Sequence, residues 1–288
     1  MEPLAQSVLV GVTGRDENTD ALRFAARQAQ RLGRGVTLVH AVHQMLPPPP
    51  PSAMMATSSS SWSDVGSAIV REVREELDEI TGGDLPAASV VRHGAPGPVF
   101  AELSKDAELV ALQHRDLSRL HRIVTGSTVV SVAAHAHCPV VSVQPTEAQV
   151  SPTGAITVGV HGDGGPPQVL ETAFAQAETR GSSLRVVHAW RMEGAYDDII
   201  ADDAQWVAQA EAGITTAMAD LRTKYPGVAA QVDVRHAWSA DGLARAAQGS
   251  DLLILGRHSG MPVAPARLGH LARAMIAHAG CSVMVVPL

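Results

Sequence analysis

The sequence predicts an α/β fold built as two tandem, open, doubly wound parallel sheets of five strands each. Three observations carry that reading. The 288-residue chain repeats itself once, at the length of a domain. Its strand-like runs of Val, Leu and Ile are continuous rather than alternating, as in strands covered on both faces. Those runs alternate with amphipathic helical stretches, the pattern of a parallel sheet with crossover helices.

Each element follows in order. SVLVGV from Ser7 reads as a buried strand, and DALRFAARQAQRL from Asp20 as a helix with Leu22, Ala25, Ala26 and Ala29 on one face. Gly33 or Gly35 ends that helix. GVTLVHAV from Gly35 is the second strand and VGSAIVREVREELDEI from Val65 the second helix. ASVVRHG, AELVALQH and PVVSVQ give three more strands, separated by short helices starting near Pro98 and Gly126. The second half repeats this plan.

The repeat is read residue by residue. Gly11 matches Gly159, Gly14 matches Gly162 and His40 matches His188, at one constant offset. Arg92 with Arg235, Gly126 with Gly269 and Cys138 with Cys281 share a second offset, five residues smaller. Two domains are expected, 1–146 and 153–288, with the seam in PTEAQVSPTGA from Pro145. The length difference lies between the second and third strands. There the first half carries PPPPPSAMMATSSSSW, Pro47 to Trp62, expected to be a solvated loop or lid. The second half carries the acidic EGAYDDIIADD, Glu193 to Asp203, expected to be a loop.

Composition sets the class. Hydrophobic residues make up 45% of the chain and charged ones 18%, enough apolar material for a core. The formal charge of −7 gives the whole molecule no attraction to nucleic acid or an anionic membrane. The start, MEPLAQSVLVGV, lacks a signal-peptide pattern, and no stretch approaches the ~20 apolar residues of a membrane span. With only two cysteines, the expectation is a cytoplasmic protein with reduced thiols.

In an open parallel sheet, ligands bind beyond the carboxyl ends of the strands where the winding reverses. That selects Thr13, Gly14 and Gln113 to Asp116 in the first half, and His161, Gly162 and Gly256 to Gly260 in the second.

The VGV-x-G start, the L-x-VVHA second strand and the glycine loop before a helix ending in AHAHCPVV or AHAGCSVM resemble the universal stress protein family, in tandem form. The resemblance covers nearly the whole chain. It implies strand order 3-2-1-4-5, a fold similar to the adenine nucleotide alpha hydrolases, and, in nucleotide-binding members, a loop of the form G-x2-G-x9-G-[ST] with an aspartate after the first strand. Here Gly256 and Gly269 match the first and third glycines, Ser259 replaces the second with Gly260 beside it, His270 replaces the hydroxyl residue, and His161 the aspartate. In the first half Gly126 and Ser127, followed by Thr128, match the closing pair, but Gln113 and Asp116 replace the earlier glycines and Thr13 the aspartate. Neither half carries the full motif. Asp116 at ~4 Å from a phosphate would repel it by about 4 kcal/mol at an effective dielectric of ~20. Arg257, His258, Arg267, His270 and Arg273 instead surround the second loop.

Two functions follow. In the first, the chain is a stress-response module that binds ATP or a related nucleotide weakly, mainly in the second half. Its site there is His161, Gly162, His188, Gly256, Arg257, Ser259, Gly260, Arg267, Gly269 and His270. A weaker first-half site has Thr13, Gly14, Gly126, Ser127 and Thr128, and Mg²⁺ enters only with ATP. In the second, it is a non-nucleotide interaction protein, pairing as a homodimer or between its own halves through the final strands PVVSVQ and SVMVVP. No enzyme signature is present, so at most slow ATP hydrolysis is expected, and nothing supplies a general base. Gly126 and Gly269 also suit a tight turn against the sheet, and His40 and His188 suit strand ends. His135-x-His137 lacks a one-face metal spacing, and Cys138 and Cys281 fit buried thiols. GDGG from Gly162 is expected to be a turn. His161 and His270 make a pH-sensitive site the expectation.

Overall fold

The structure is a computed structural model that describes residues 2–43, 59–114, 128–145, 154–191, 204–257 and 268–288. The chain divides into two units, Met1–Pro145 and Thr146–Leu288.

The first unit runs β1 (Val8–Gly11), α1 (Thr19–Leu32), β2 (Val36–Val42), α2 (Ser59–Thr81), β3 (Ala87–His93), α3 (Pro96–Leu103), β4 (Leu109–Gln113), α4 (Thr128–His135) and β5 (Val140–Val143). Its strands are parallel in the order β3-β2-β1-β4-β5. Val8 pairs with Val36 on one side and Leu109 on the other, so β1 lies in the centre. Helix α1 forms because its apolar residues recur at helical spacing; Leu22, Ala25, Ala26 and Ala29 are all buried. Gly33 ends it at φ 62°, with Arg34 N–H donating to Ala29 O at 2.8 Å. Gly35 is instead the residue before β2.

The second unit runs β6 (Ala155–Gly159), α5 (Pro167–Arg180), β7 (Ser183–Trp190), α6 (Ala204–Ala217), α7 (Ala219–Lys224), β8 (Ala230–His236), α8 (Ser239–Ala246), β9 (Ser250–Gly256), α9 (His270–His278) and β10 (Ser282–Val286). Its parallel order, β8-β7-β6-β9-β10, repeats the first. Leu9, Leu22, Phe24, Leu38 and Leu77 fill the first core; Ile156, Leu170, Phe174, Leu184 and Leu252 fill the second. With so few aromatics, close packing of branched aliphatics against alanine-faced helices supplies the burial.

Two expectations change. Ser59 to Trp62, expected to be loop, is the first turn of α2; serine is disfavoured inside helices but suits their starts, where its oxygen can meet a free N–H. The rest of that stretch, 47–58, lies outside the described residues, as does 193–203. The matching helix of the second unit is not one piece: α6 and α7 meet at the fully buried Met218. Among the described residues no helix is long and apolar enough to cross a membrane.

Candidate functional site

At the carboxyl ends of β6, β7 and β9 lies a cavity of about 290 Å³. His161, His188, Gly256, Gly269 and His270 line it, with apolar walls from Val169, Leu243, Leu255 and Leu288. Its floor stays open because β6 ends in glycine: a Cβ on Gly159 would stand 2.7 Å from Leu255 Cδ2.

The chain leaves β6 through a fixed turn. Val160 N–H still donates to Val187 O, at 2.9 Å, so His161 is the first residue clear of the ladder. Gly164 N–H donates to His161 O at 2.9 Å and Gly165 N–H to Asp163 Oδ1 at 2.9 Å. Gly164 and Gly165 sit at φ 90° and 65°, backbone that side chains disfavour. GDGG is therefore a turn. Helix α6 covers it, closely enough that a Cβ on Gly213 would stand 2.6 Å from Gly162 O.

His188 Nδ1 lies 3.1 Å from Val160 O. A carbonyl oxygen only accepts, so Nδ1 is the donor, which leaves Nε2 directed away from that bond. That Nε2 stands 3.2 Å from where a Cβ on Gly162 would be. Opposite, α9 starts at His270, and its N-cap Gly269 offers no side-chain cap. The first amides of α9 thus have no helical acceptor, and the positive end of its dipole faces the cavity mouth. Arg257 follows β9; its N–H donates to Val286 O at 2.7 Å, and burial lowers its guanidinium pKa.

Of the residues expected at the second site, five line the cavity, Gly162 borders His188, and Arg257 adjoins the wall. Ser259, Gly260 and Arg267 lie outside the described residues, as does His258.

The twin cavity of the first unit is smaller, about 130 Å³. Thr13 and Thr128 line it; Gly14 does not, and its Cβ direction meets Glu17 Oε1 at 3.3 Å. Gly126, Ser127 and Asp116 lie outside the described residues. Here the loop bonds to itself. Asn18 Oδ1 accepts Thr13 N–H at 2.9 Å, and Thr13 Oγ1 donates to Glu17 Oε2 at 2.7 Å. Gln113 Oε1 accepts Ala21 N–H at 3.0 Å. Phe100 stands where the second unit has Leu243.

The other singled-out residues do structural work. His40 Nδ1 lies 2.9 Å from Val12 O, and His135 Nδ1 lies 2.8 Å from Ser131 O, so both donate to backbone. Cys138 and Cys281 are buried and are not joined in a disulfide. Among the described residues no group of three His, Cys, Asp or Glu side chains is placed to hold a metal.

The sequence reading missed the walls, Val169, Leu243 and Leu288, and the reach of Gln113. The walls carry no chemical motif: Val169 lies in the first turn of α5, Leu243 midway along α8 and Leu288 two residues past β10.

A profile of the Universal stress protein family matches residues 5–144 and again 153–287. A universal stress protein of Mycolicibacterium smegmatis is 27% identical over 286 residues, covering 97% of this chain and 96% of that one. Universal stress protein Rv2005c of Mycobacterium tuberculosis is 28% identical over 282 residues, covering 96% of each. Among solved structures, a universal stress protein from Archaeoglobus fulgidus superposes at TM-score 0.69 with 14% identity, covering 98% of this chain and 99% of that one, a likeness of fold.

Proposed function

Because the chain belongs to the universal stress protein family, we propose that it is a stress-response module that binds ATP or a related nucleotide weakly, mainly through its second unit. One observation carries the reading: the larger cavity lies at the carboxyl ends of the central strands, walled by aliphatic side chains and facing the uncapped start of α9. Its volume sits at the lower edge of the roughly 300–1,000 Å³ of small-molecule sites. A nucleoside suits it better than a whole triphosphate. In this reading the base lies against Val169 and Leu243 with His161 and His188 at its edge. The phosphates extend toward the amides of Gly269, His270 and Gly256 to Gly260, with Arg257 and Arg267 adding charge. Mg²⁺ enters only as the ion ATP carries. Catalysis is not part of the reading.

The first experiment is to denature the purified protein and seek released nucleotide by chromatography. The second is thermal unfolding with millimolar ATP: a rise in Tm that Gly269→Asp removes is the expected result, and no rise overturns the reading.

The smaller first cavity, about 130 Å³, favours one alternative, an interaction protein without a nucleotide. Pairing through β5 and β10, between copies or within a chain, would then carry function. No copurified nucleotide and no ATP response, with association in sedimentation, would select it.

A further inference from the structure

We propose that Gln113 is a built-in occupant of the first unit's cavity, its side-chain amide filling the space that the second unit leaves for a nucleoside. The identity of that ligand rests on the function proposed above; the plug itself rests on geometry.

Gln113 and Gly256 are the last residues of the matching strands β4 and β9. At Gly256 nothing projects beyond the Cα, and the cavity measures about 290 Å³. At Gln113 a three-atom arm ends in an amide, and the cavity measures about 130 Å³. The arm is held at its tip: Oε1 accepts the N–H of Ala21, the third residue of α1.

That bond answers a need the second unit lacks. The first amides of a helix have no partner inside it. Asn18, the N-cap of α1, gives its helix no side-chain bond, because its Oδ1 is taken by Thr13. Gln113 supplies an acceptor instead. In α5 the matching N–H, that of the third residue Val169, already donates to Pro166 O at 3.1 Å. A third helical amide satisfied by the local Pro166 carbonyl and a glycine at the strand end thus go together in one unit, and an amide satisfied by a distant glutamine in the other. Phe100 in place of Leu243 narrows the first cavity further.

Adenosine is the probe, since the space that Gln113 fills is one of nucleoside size. Equilibrium dialysis counts adenosine per folded chain for the wild type, for Gln113→Gly/Phe100→Leu, and for the milder Gln113→Ala, each also in a Gly269→Asp background. Circular dichroism checks folding, and if the double variant fails to fold, Gln113→Ala decides. The expected result is one more adenosine per chain in the opened variant than in the wild type, kept in the Gly269→Asp background, with amide exchange at Ala21 at least tenfold faster. No gain over the wild type, or two adenosines bound by the wild type, overturns the plug. A wild type that binds none alongside an opened variant that binds one keeps the plug and removes the second-unit site; one bound by both does the reverse.

Discussion

His188 Nδ1 stands 3.1 Å from the carbonyl oxygen of Val160, and in the other unit His40 makes the same contact to Val12 at 2.9 Å. In each unit the second strand's histidine ties down the first backbone carbonyl to leave the central strand. It fixes where the loop departs and, for His188, leaves Nε2 on the side of Gly162.

The matched pair separates structure from binding. His188→Ala and His40→Ala each leave a part-buried carbonyl without its donor, at a cost of about 1–3 kcal/mol. Urea unfolding should show similar losses for the two. Only His188→Ala should also weaken ATP binding, because His188 alone lines the larger cavity. A parallel loss of ATP affinity in His40→Ala would contradict that assignment.

Gly256→Gln rebuilds the first unit's arrangement in the second. A Cβ there meets Val169 Cγ2 at 3.0 Å, tight but against the end of a side chain. The N–H it would need, that of Val169, already donates to Pro166 O at 3.1 Å, so the amide should lie loose in the cavity. ATP affinity should fall at least tenfold while Tm drops by only a few degrees, read by calorimetry and thermal unfolding. Unchanged affinity would mean that the ligand does not use this space.

How far these sites could be read in advance depends on the kind of signal. The strands were legible because VLVG and LLILG are unbroken apolar runs and VTLVHAV is broken only by Thr37 and His40; the end of α1 was narrowed to Gly33 or Gly35, and Gly33 takes the left-handed conformation that closes the helix. The strand order came from family resemblance, and the parallel pairing of β1 with β2 and β4 agrees with it. Glycines at strand ends marked the cavity mouth. What stayed hidden depends on distance: Gln113 reaches Ala21 across 92 residues, and no local pattern encodes that bond. The start of α2 was hidden by a conflict between serine's preference for solvent and its fitness for a first helical turn.

Glu76 is a second long-range tie. This buried carboxylate of α2 accepts Asp16 N–H at 3.0 Å and Thr19 Oγ1–H at 2.6 Å. Asp16 sits at φ 61°, a conformation non-glycine residues adopt reluctantly, and the Glu76 bond helps hold it there. In Glu76→Gln one side-chain oxygen becomes a donor facing another donor. The expected loss is about 1–3 kcal/mol in urea unfolding, with faster amide exchange at Asp16. A neutral substitution would show that the β1–α1 loop holds its shape without α2.

The buried thiol of Cys138 gives the alkaline limit. Desolvation, with a smaller contribution from Glu108, pushes its pKa from 9.0 up to about 12. Below pH 9 both folded and unfolded chains keep the proton, and this group's share of stability is fully present. Between pH 9 and 12 the unfolded chain has lost a proton that the folded chain retains, so stability falls as pH rises, by up to about 1.4 kcal/mol per pH unit. Urea unfolding at pH 8, 9.5 and 10.5 should show a decline that Cys138→Ala makes shallower. Disulfide reagents at pH 8 should label Cys138 at least tenfold more slowly in the folded protein than in urea, since the thiolate is the reactive form. Equal labelling rates, or an unchanged slope in Cys138→Ala, would place this thiol in contact with solvent rather than in the buried position it holds before β5.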